Sequence, residues 1–518
     1  MSRSAAVLGV TLFAILWVLP GMVLVGDVIS DGPPAPVAGA VVGAGAEGVP
    51  GVVSATAARL LGMSVWMAAT ATALALMVSV PAAAVWASAA GGRWAAPAVA
   101  AAMALVCVTS PMVYSFGWQR MLDARGVGGA GGVAACTLIW AAWLWPIPAM
   151  MLGAAWRRHG RAAFEAALLD ASPVRAFIHV GIGTLARPLV AAALILFTLT
   201  VGNYVVPHAW GVRVYATELL LWTTETTHPS QTVRHALPLI VVVAMVALGG
   251  WHVMRRSRQD SAEWSAATSR PASRGWLVAA ASIFVASFAL PIGGLVWRIG
   301  SWTVWREAWQ VHRGDFLGSV AICLAAGLLA VVAACTSAIV RRAWRVGLVV
   351  ALLYGIVPAA LVGAAVYGVY VDLETWLPGG RLRLRPWNDV AWMTAAGLAA
   401  RYGWIAFLAV GAAAMLRDRE LDEQAAVDGA SWPRTLWQVR LAGQWPALAC
   451  AMLAIAALSV SDVATATLVQ VSSVRMISLL LVEAMHRFED GLLISISLWL
   501  LLAALPGCLL AVWMVRRA

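Results

Sequence analysis

Charged residues are scarce in this chain of 518 residues: Asp, Glu, Lys and Arg together make up 11%, against about 25% in a typical soluble domain. Apolar residues make up 62%. A soluble protein of this size needs far more charge to cover its surface. The composition therefore argues against a soluble enzyme and a disordered tail, and it predicts an all-α polytopic membrane protein.

Lysine is absent, so all 35 basic residues are Arg. The P-loop motif GxxxxGK[ST] places a Lys on the nucleotide phosphates, and a Schiff base also needs a Lys amine. If ATP drives transport here, another polypeptide must hydrolyse it. We expect a chain that is not itself an enzyme.

The six Cys all fall inside apolar runs, and the eight His are scattered singly. This pattern predicts buried free thiols. It indicates no metal site, no disulfide framework and no cofactor.

Twelve apolar stretches are long enough to span a bilayer, which takes about 20 residues. The first is longer than the apolar region of a signal peptide. The stretches are 5–25, 62–87, 95–117, 133–155, 188–207, 236–254, 276–297, 316–339, 346–370, 395–416, 446–469 and 491–514. An even number of spans predicts that both termini lie on the same side.

The distribution of Arg orients these spans. With the N-terminus in the cytoplasm, the inner segments hold 21 of the 35 Arg but only 9 of the 24 acidic residues. Because inner loops of membrane proteins are enriched in basic residues, we expect cytoplasmic N- and C-termini and a multi-pass protein of the bacterial inner membrane. The net charge of +11 is then a topology signal and indicates no nucleic-acid partner.

A polar stretch, residues 255–275, divides the chain into nearly equal parts. We interpret it as a cytoplasmic linker between two six-helix units, residues 1–254 and 276–518. Each unit contains one similar loop between its fourth and fifth spans, about 156–188 and about 417–446. In both loops a Glu is followed five residues later by an Asp and eighteen residues after that by a Pro, and the two copies are 258 positions apart.

The residues of these loops predict a helix–turn–helix. Small alanines after the Glu let a short helix lie close to another surface, and Gly429 after Asp428 ends that helix cheaply, because Gly adopts positive φ. Ser172 and Pro173 suit the N-cap and first turn of a second helix. Ser431 with Pro433 can act similarly.

Both loops resemble the EAA loop (E-A-A-x(2)-D-G-A) of ABC importer permeases, with Ala171 and Gln424 as departures from the pattern. Two copies in one twelve-span chain resemble the fused permeases of the ferric-iron and thiamine type. The resemblance implies two tandem six-helix type I permease units whose loops dock on two copies of a cytoplasmic ATPase, and a periplasmic or extracellular substrate-binding protein. The implied docking residues are Glu165, Ala166, Ala167, Asp170, Ala171, Glu423, Gln424, Ala425, Asp428 and Gly429.

Polar residues inside the membrane are expensive and often mark a pathway. In the resembled family the fifth span of each half lines the path, which makes Asn203, Tyr204, Ser459, Ser461 and Asp462 candidates. The alternatives are a position near the outer headgroups or a role at a helix end. Arg401 either snorkels or has a carboxylate partner such as Asp462.

Three functions compete at this point. The resemblance favours an ATP-driven importer permease, with ferric iron first and then thiamine, phosphonates or polyamines. A twelve-span secondary transporter has the same layout, but it needs an intramembrane coupling site, for which Asp462 is the single candidate. For a membrane-embedded enzyme, the sequence shows no nucleophile–base arrangement.

Overall fold

The computed structural model describes residues 11–23, 55–88, 95–122, 129–157, 161–225, 229–256, 273–298, 302–338, 341–376, 391–415, 419–431, 434–435, 442–469 and 474–517. These residues contain helices and turns but no strand. Most of the predicted linker 255–275 lies outside the described residues, as do the ends of the first predicted span and parts of the second loop.

The helices follow one another along the chain with short connections. Those of the first part are α1 (Thr11–Val23), α2 (Ala55–Ser88), α3 (Ala95–Val108), α4 (Pro111–Met121), α5 (Gly129–Leu144), α6 (Pro146–Ala155), α7 (Arg161–Ala167), α8 (Pro173–Ala176), α9 (Ile182–Val201), α10 (Val205–Ala209), α11 (Tyr215–Glu225) and α12 (Pro229–Arg256). Those of the second part are α13 (Arg274–Trp297), α14 (Trp302–Ser337), α15 (Arg341–Ile356), α16 (Ala359–Trp376), α17 (Trp392–Tyr402), α18 (Trp404–Met415), α19 (Arg419–Val427), α20 (Ala442–Val460), α21 (Val463–Val469), α22 (Ile477–His486) and α23 (Asp490–Arg517).

Six helices of the described residues are long and apolar enough to cross a membrane, and five bent pairs raise the number to 11 if each pair is one span. This architecture fits an all-α membrane protein. The six continuous helices overlap the predicted stretches 62–87, 188–207, 236–254, 276–297, 316–339 and 491–514. The described part of the first predicted span is a helix of 13 residues, Thr11–Val23.

Five stretches expected to be continuous are bent instead. The angles are 90° between α3 and α4, 42° between α5 and α6, 116° between α15 and α16, 55° between α17 and α18, and 77° between α20 and α21. Pro111, Pro146 and Pro358 stand at three of these bends. The ring of a proline disfavours the helical conformation of the preceding residue, and Ser110 accordingly has an extended ψ of 137°.

The chain divides into two compact units that are not contiguous halves. One comprises Met1–Leu61, Thr217–Ile240 and Arg306–Glu489, and the other comprises Gly62–Ala216, Val241–Trp305 and Asp490–Ala518. Each unit therefore contains segments from both sides of the polar stretch 255–275. The permease units predicted at 1–254 and 276–518 stay a prediction.

In the unit that contains Arg306–Glu489, α1 is bound by specific contacts. The Trp17 indole N–H donates to the Ala400 carbonyl at 3.0 Å, and the Tyr354 hydroxyl donates to the Trp17 carbonyl at 2.7 Å. The Trp17 and Phe407 rings meet edge to face, with centroids 5.6 Å apart. The opening helix of the chain is thus part of a core built largely from later helices.

In the unit that contains Gly62–Ala216, α13 occupies a comparable place. It packs along α4 so closely that a Cβ on Gly117 would lie 2.7 Å from the Pro291 carbonyl oxygen. The Trp145 indole N–H donates to the Ser287 hydroxyl at 3.1 Å. The last helix, α23, packs against α3 in the same unit.

Small residues set how closely these helices approach. Within an apolar solvent there is little hydrophobic force between helices, so close packing through Gly and Ala replaces it. On α14, the buried residues Cys323, Ala326, Gly327, Ala330 and Ala334 form such a surface. A Cβ on Gly327 would lie 2.5 Å from the Met452 carbonyl oxygen of α20.

We expect Gly327→Ala to lower the free energy of unfolding by about 1–3 kcal/mol, because the methyl group forces α14 and α20 apart. Gly314→Ala, on the same helix, is the matched control: nothing lies within 4 Å of its added Cβ, so the higher helix propensity of Ala makes it neutral or stabilising. The measurement is unfolding of the detergent-solubilised protein. Equal effects of both substitutions would contradict the close approach at Gly327.

Candidate functional site

The first EAA-like loop forms a short helix, a turn and a second short helix. Helix α7 ends at Ala167, and the Ala171 N–H donates to the Ala167 carbonyl at 2.9 Å in the following turn. Helix α8 starts at Pro173, and the Ser172 carbonyl accepts from the Ala176 N–H at 2.9 Å. Ser172 therefore holds the N-cap position, as its sequence predicts.

In the second loop, the described residues show the first helix and its end. Helix α19 continues to Val427, and Gly429 has φ = +67°. The Ala430 N–H donates to the Ala425 carbonyl at 2.9 Å, which is a bond typical of a helix end closed by a left-handed Gly. The prediction that Gly429 ends this helix is confirmed.

Ala171 stands where the EAA pattern has a Gly, and the helix before it ends differently from α19. Positive φ occurs at two non-glycine residues of the described chain, Ala391 and Phe488, and Ala171 is not one of them. A Cβ makes positive φ costly, so α7 ends in a tighter turn, in which the Asp170 N–H donates to the Ala167 carbonyl at 3.2 Å. The two loops therefore end their first helices by different means.

Most of the expected docking residues lie at the protein surface. Those that are exposed are Glu165, Ala166, Asp170, Glu423, Gln424, Asp428 and Gly429. Ala167 and Ala171 are half-buried, and Ala425 is buried. Each loop thus presents its Glu and its Asp on an exposed surface. The matching alanines Ala167 and Ala425 are buried to different extents.

Two residues that sequence reasoning did not single out have the most exposed large apolar side chains among the described residues of the loops. Leu169 is 85% exposed and Val427 is 86% exposed. Each stands immediately before the Asp, and they are 258 positions apart like the rest of the repeat. Their type and position relative to the Asp were visible in the sequence, but their exposure depends on where each short helix ends.

Asn203 and Asp462 cap corresponding helices. The Val206 N–H donates to the Asn203 side-chain oxygen at 3.1 Å, and the Thr465 N–H donates to the Asp462 carboxylate at 2.9 Å. Asp462 directly precedes α21, whereas Asn203 stands one position before Tyr204, the N-cap residue of α10. Each side chain binds an N–H of the first turn of its short helix, just after a long helix has ended. A side-chain oxygen at this position satisfies an otherwise unpaired N–H.

The other path candidates are enclosed in their units. Ser459, Ser461 and Asp462 are 0%, 7% and 5% exposed, and the Thr465 hydroxyl donates to the second Asp462 oxygen at 2.9 Å. Tyr204 is half-buried and stacks on His208 with ring centroids 4.9 Å apart. These contacts are those of helix ends and packing, so a role in a translocation path stays a prediction.

Arg401 is buried and does not snorkel. The two hydrogens of one guanidinium nitrogen are shared among the carbonyls of Tyr354, Gly355 and Val357, at 3.0, 2.8 and 2.5 Å. These are the last carbonyls of α15 and of its bend. The Arg401 guanidinium carbon also lies 5.8 Å from the centroid of the Tyr402 ring. The helix dipole stabilises a cation at a helix C-terminus, such as Arg401 at the end of α15, and a carboxylate at a helix N-terminus, such as Asp462 before α21.

No cluster of three or more His, Cys, Asp or Glu side chains suited to a metal ion occurs in the described ranges. The six cysteines are free thiols, three of them buried and three half-buried.

Comparison of the chain with known protein families, with characterised proteins and with solved structures finds no match. The geometry described above is therefore the basis for the assignment of function.

We expect Asp462→Ala to lower the free energy of unfolding by about 1–2 kcal/mol, because the first turn of α21 loses its cap. Asp462→Asn retains most of the stability, since the Asn203 amide oxygen accepts from an N–H three residues on in α10 and the backbone carbonyls still hold Arg401. Asn203→Ala and Asn203→Asp are the matched pair. The measurement is thermal unfolding in detergent together with transport activity. A stable Asp462→Asn variant that has lost transport would contradict a capping role alone.

Proposed function

We propose that this protein is the transmembrane permease subunit of an ATP-driven ABC importer, coupled to a separate ATPase through its two EAA-like loops. The observation that carries the proposal is that each loop strongly exposes a large apolar side chain immediately before its Asp, Leu169 or Val427, close to an exposed Glu. Protein–protein contacts combine an apolar centre with a polar rim, and an exposed apolar side chain close to exposed carboxylates has this arrangement.

The order of bends supports two tandem six-helix units in this proposal. In each half, a helix ends at Val201 or Val460, a capping residue follows, and a short helix begins at Val205 or Val463. Bent pairs precede the loops in both halves as well, with bends close to Pro146 in one and Gly403 in the other, 257 positions apart. The proposed architecture has twelve spans, and the first includes residues outside the described ones.

In the proposed mechanism this chain binds the ATPase and the substrate-binding protein and changes conformation, and it catalyses no reaction. Two ATPase subunits close on ATP, their movement passes through the loop helices, and the two permease units alternate between outward- and inward-facing states. A substrate-binding protein delivers the cargo from outside. In this topology both termini lie in the cytoplasm of a bacterium and the loops face the ATPase.

A secondary transporter is the second candidate, and Asp462 is the observation that bears on it. Both carboxylate oxygens are engaged by Thr465, one by its N–H and one by its hydroxyl. A coupling carboxylate must exchange a proton or an ion during each cycle. The capping contacts of Asp462 favour a structural role, and we therefore prefer the ATP-driven importer.

The docking surface is tested by Leu169→Asp combined with Val427→Asp. We expect co-purification of an ABC ATPase encoded beside this gene, and the ATP-dependent uptake it drives, to fall at least about tenfold, because a charge replaces each apolar anchor. The measurement is the amount of ATPase retained on the tagged permease, and vanadate-sensitive uptake into proteoliposomes. Glu165→Arg with Glu423→Arg tests the charged neighbours in the same assay.

The matched control is Leu122→Asp combined with Phe488→Asp. Both side chains are exposed, at 58% and 68%, and neither lies in a loop of the proposed docking surface. Asp also tolerates the positive φ of residue 488. Unchanged ATPase retention in the loop variant, or uptake without any nucleotide-consuming partner, would contradict the proposal.

Ferric iron is the cargo that the resemblance favours, followed by thiamine and then by phosphonates or polyamines. We expect a deletion strain to lose uptake of radiolabelled ferric iron and to recover it with the wild-type gene but not with the double loop variant. Thiamine uptake in the same strain is the parallel measurement. Loss of thiamine uptake alone would reassign the cargo and keep the mechanism.

A further inference from the structure

An apolar groove of about 910 Å³ lies beside the first EAA-like loop, inside the unit that contains Gly62–Ala216. Its walls come from the last turns of α2 and α6, from α7, and from the first turns of α9 and α13. Its volume is within the range of about 300–1,000 Å³ that small-molecule sites occupy. None of the docking or path residues discussed above lines it, except Glu165 at its edge.

The depth of the groove matches one leaflet of a bilayer. Along α2 its walls extend from Ser88 to Val80, and along α9 from Ile182 to Leu189, which corresponds to about 10–12 Å of helix. One half of the hydrocarbon core of a membrane is about 15 Å thick. The groove therefore follows the spans from one membrane surface into the hydrocarbon.

The walls carry exposed apolar side chains rather than polar ones. Val80 is 46% exposed, Ile182 55%, Leu189 40% and Trp276 43%. Grooves with predominantly apolar walls favour apolar ligands. Hydrocarbon is the solvent at this depth, so we expect hydrocarbon in the groove.

Polar groups gather at one end of the groove. Glu165 and Ser273 line it there, and Arg274 directly follows Ser273. Arg157 follows the lining residue Trp156, and its guanidinium carbon lies 5.8 Å from the centroid of the Trp86 ring. A long apolar site whose mouth has a carboxylate and a hydroxyl, and two Arg one position away from lining residues in the sequence, has the polarity of an amphiphile.

We propose that this groove holds the acyl chains of a phospholipid from the surrounding bilayer, with the headgroup at the mouth near Arg157 and Arg274. Phe164 and Leu168 contribute to its walls, and the Phe164 ring lies 5.5 Å from the Trp156 ring. The bound lipid therefore packs against α7 and Leu168, directly before the turn that contains Leu169. Lipid binding rests on the membrane placement of these helices, and only its effect on coupling rests on the proposed function.

The test is native mass spectrometry of the detergent-purified full chain titrated with phosphatidylglycerol. We expect one tightly retained lipid, and an affinity at least about tenfold weaker in Ala84→Trp with Leu189→Trp, whose indoles fill the groove. The matched control, Met77→Trp with Leu248→Trp, places the same indoles at exposed positions outside the groove. Its affinity stays within about twofold of wild type.

A second variant keeps the proposal testable if the filled groove prevents folding. Leu168→Glu changes an exposed residue at the mouth, and its carboxylate repels the phosphate and the acyl chains, so we expect an affinity about fivefold weaker. Equal affinity in the groove variants and in the control overturns the proposal. Retention of a molecule whose mass is not that of a phospholipid also overturns it. Neither outcome bears on ATPase docking, because the ATPase is absent from the assay.

Discussion

Backbone hydrogen bonding in an apolar solvent is the constraint on which the rest of this structure depends. A helix that bends or ends within a membrane leaves N–H and C=O groups that water cannot reach. Here side chains of the same unit satisfy them: Ser110 accepts from the Met112 N–H at the bend before α4, Asp462 caps α21, and Arg401 binds the final carbonyls of α15. These polar groups make bends possible inside apolar surroundings.

The same constraint explains why polar residues inside the membrane are weak evidence for a pathway. Asn203 and Asp462 differ in charge but cap their helices with the same three-residue spacing. The charged Asp462 accepts from both the N–H and the hydroxyl of Thr465, whereas the neutral Asn203 accepts from the Val206 N–H. The two halves thus repeat a backbone geometry without repeating its electrostatics.

The sequence predicts much of the helical content but little of the packing. Composition and run length located the long helices, and Gly429 predicted the end of α19. Pro111, Pro146 and Pro358 were available as signals for three bends, but an apolar run hides a bend because every face of the helix is hydrophobic. For the same reason no periodicity indicates that Trp17 packs against α17, or that Pro291 approaches Gly117. The exposure of Leu169 and Val427 depends on turns whose exact register the sequence leaves open.

The two compact units each combine segments from before and after the polar stretch 255–275, and this affects what happens when the chain is cut there. Each compact unit draws helices from both sides of that stretch, with α1 in one unit and α13 and α23 in the other. If a peptide bond between residues 257 and 272 were cut, each unit would still contain residues from both fragments. The covalent connection is therefore not what holds the fragments together: a nicked chain, or two fragments expressed separately, has the same buried contacts available as the intact polypeptide.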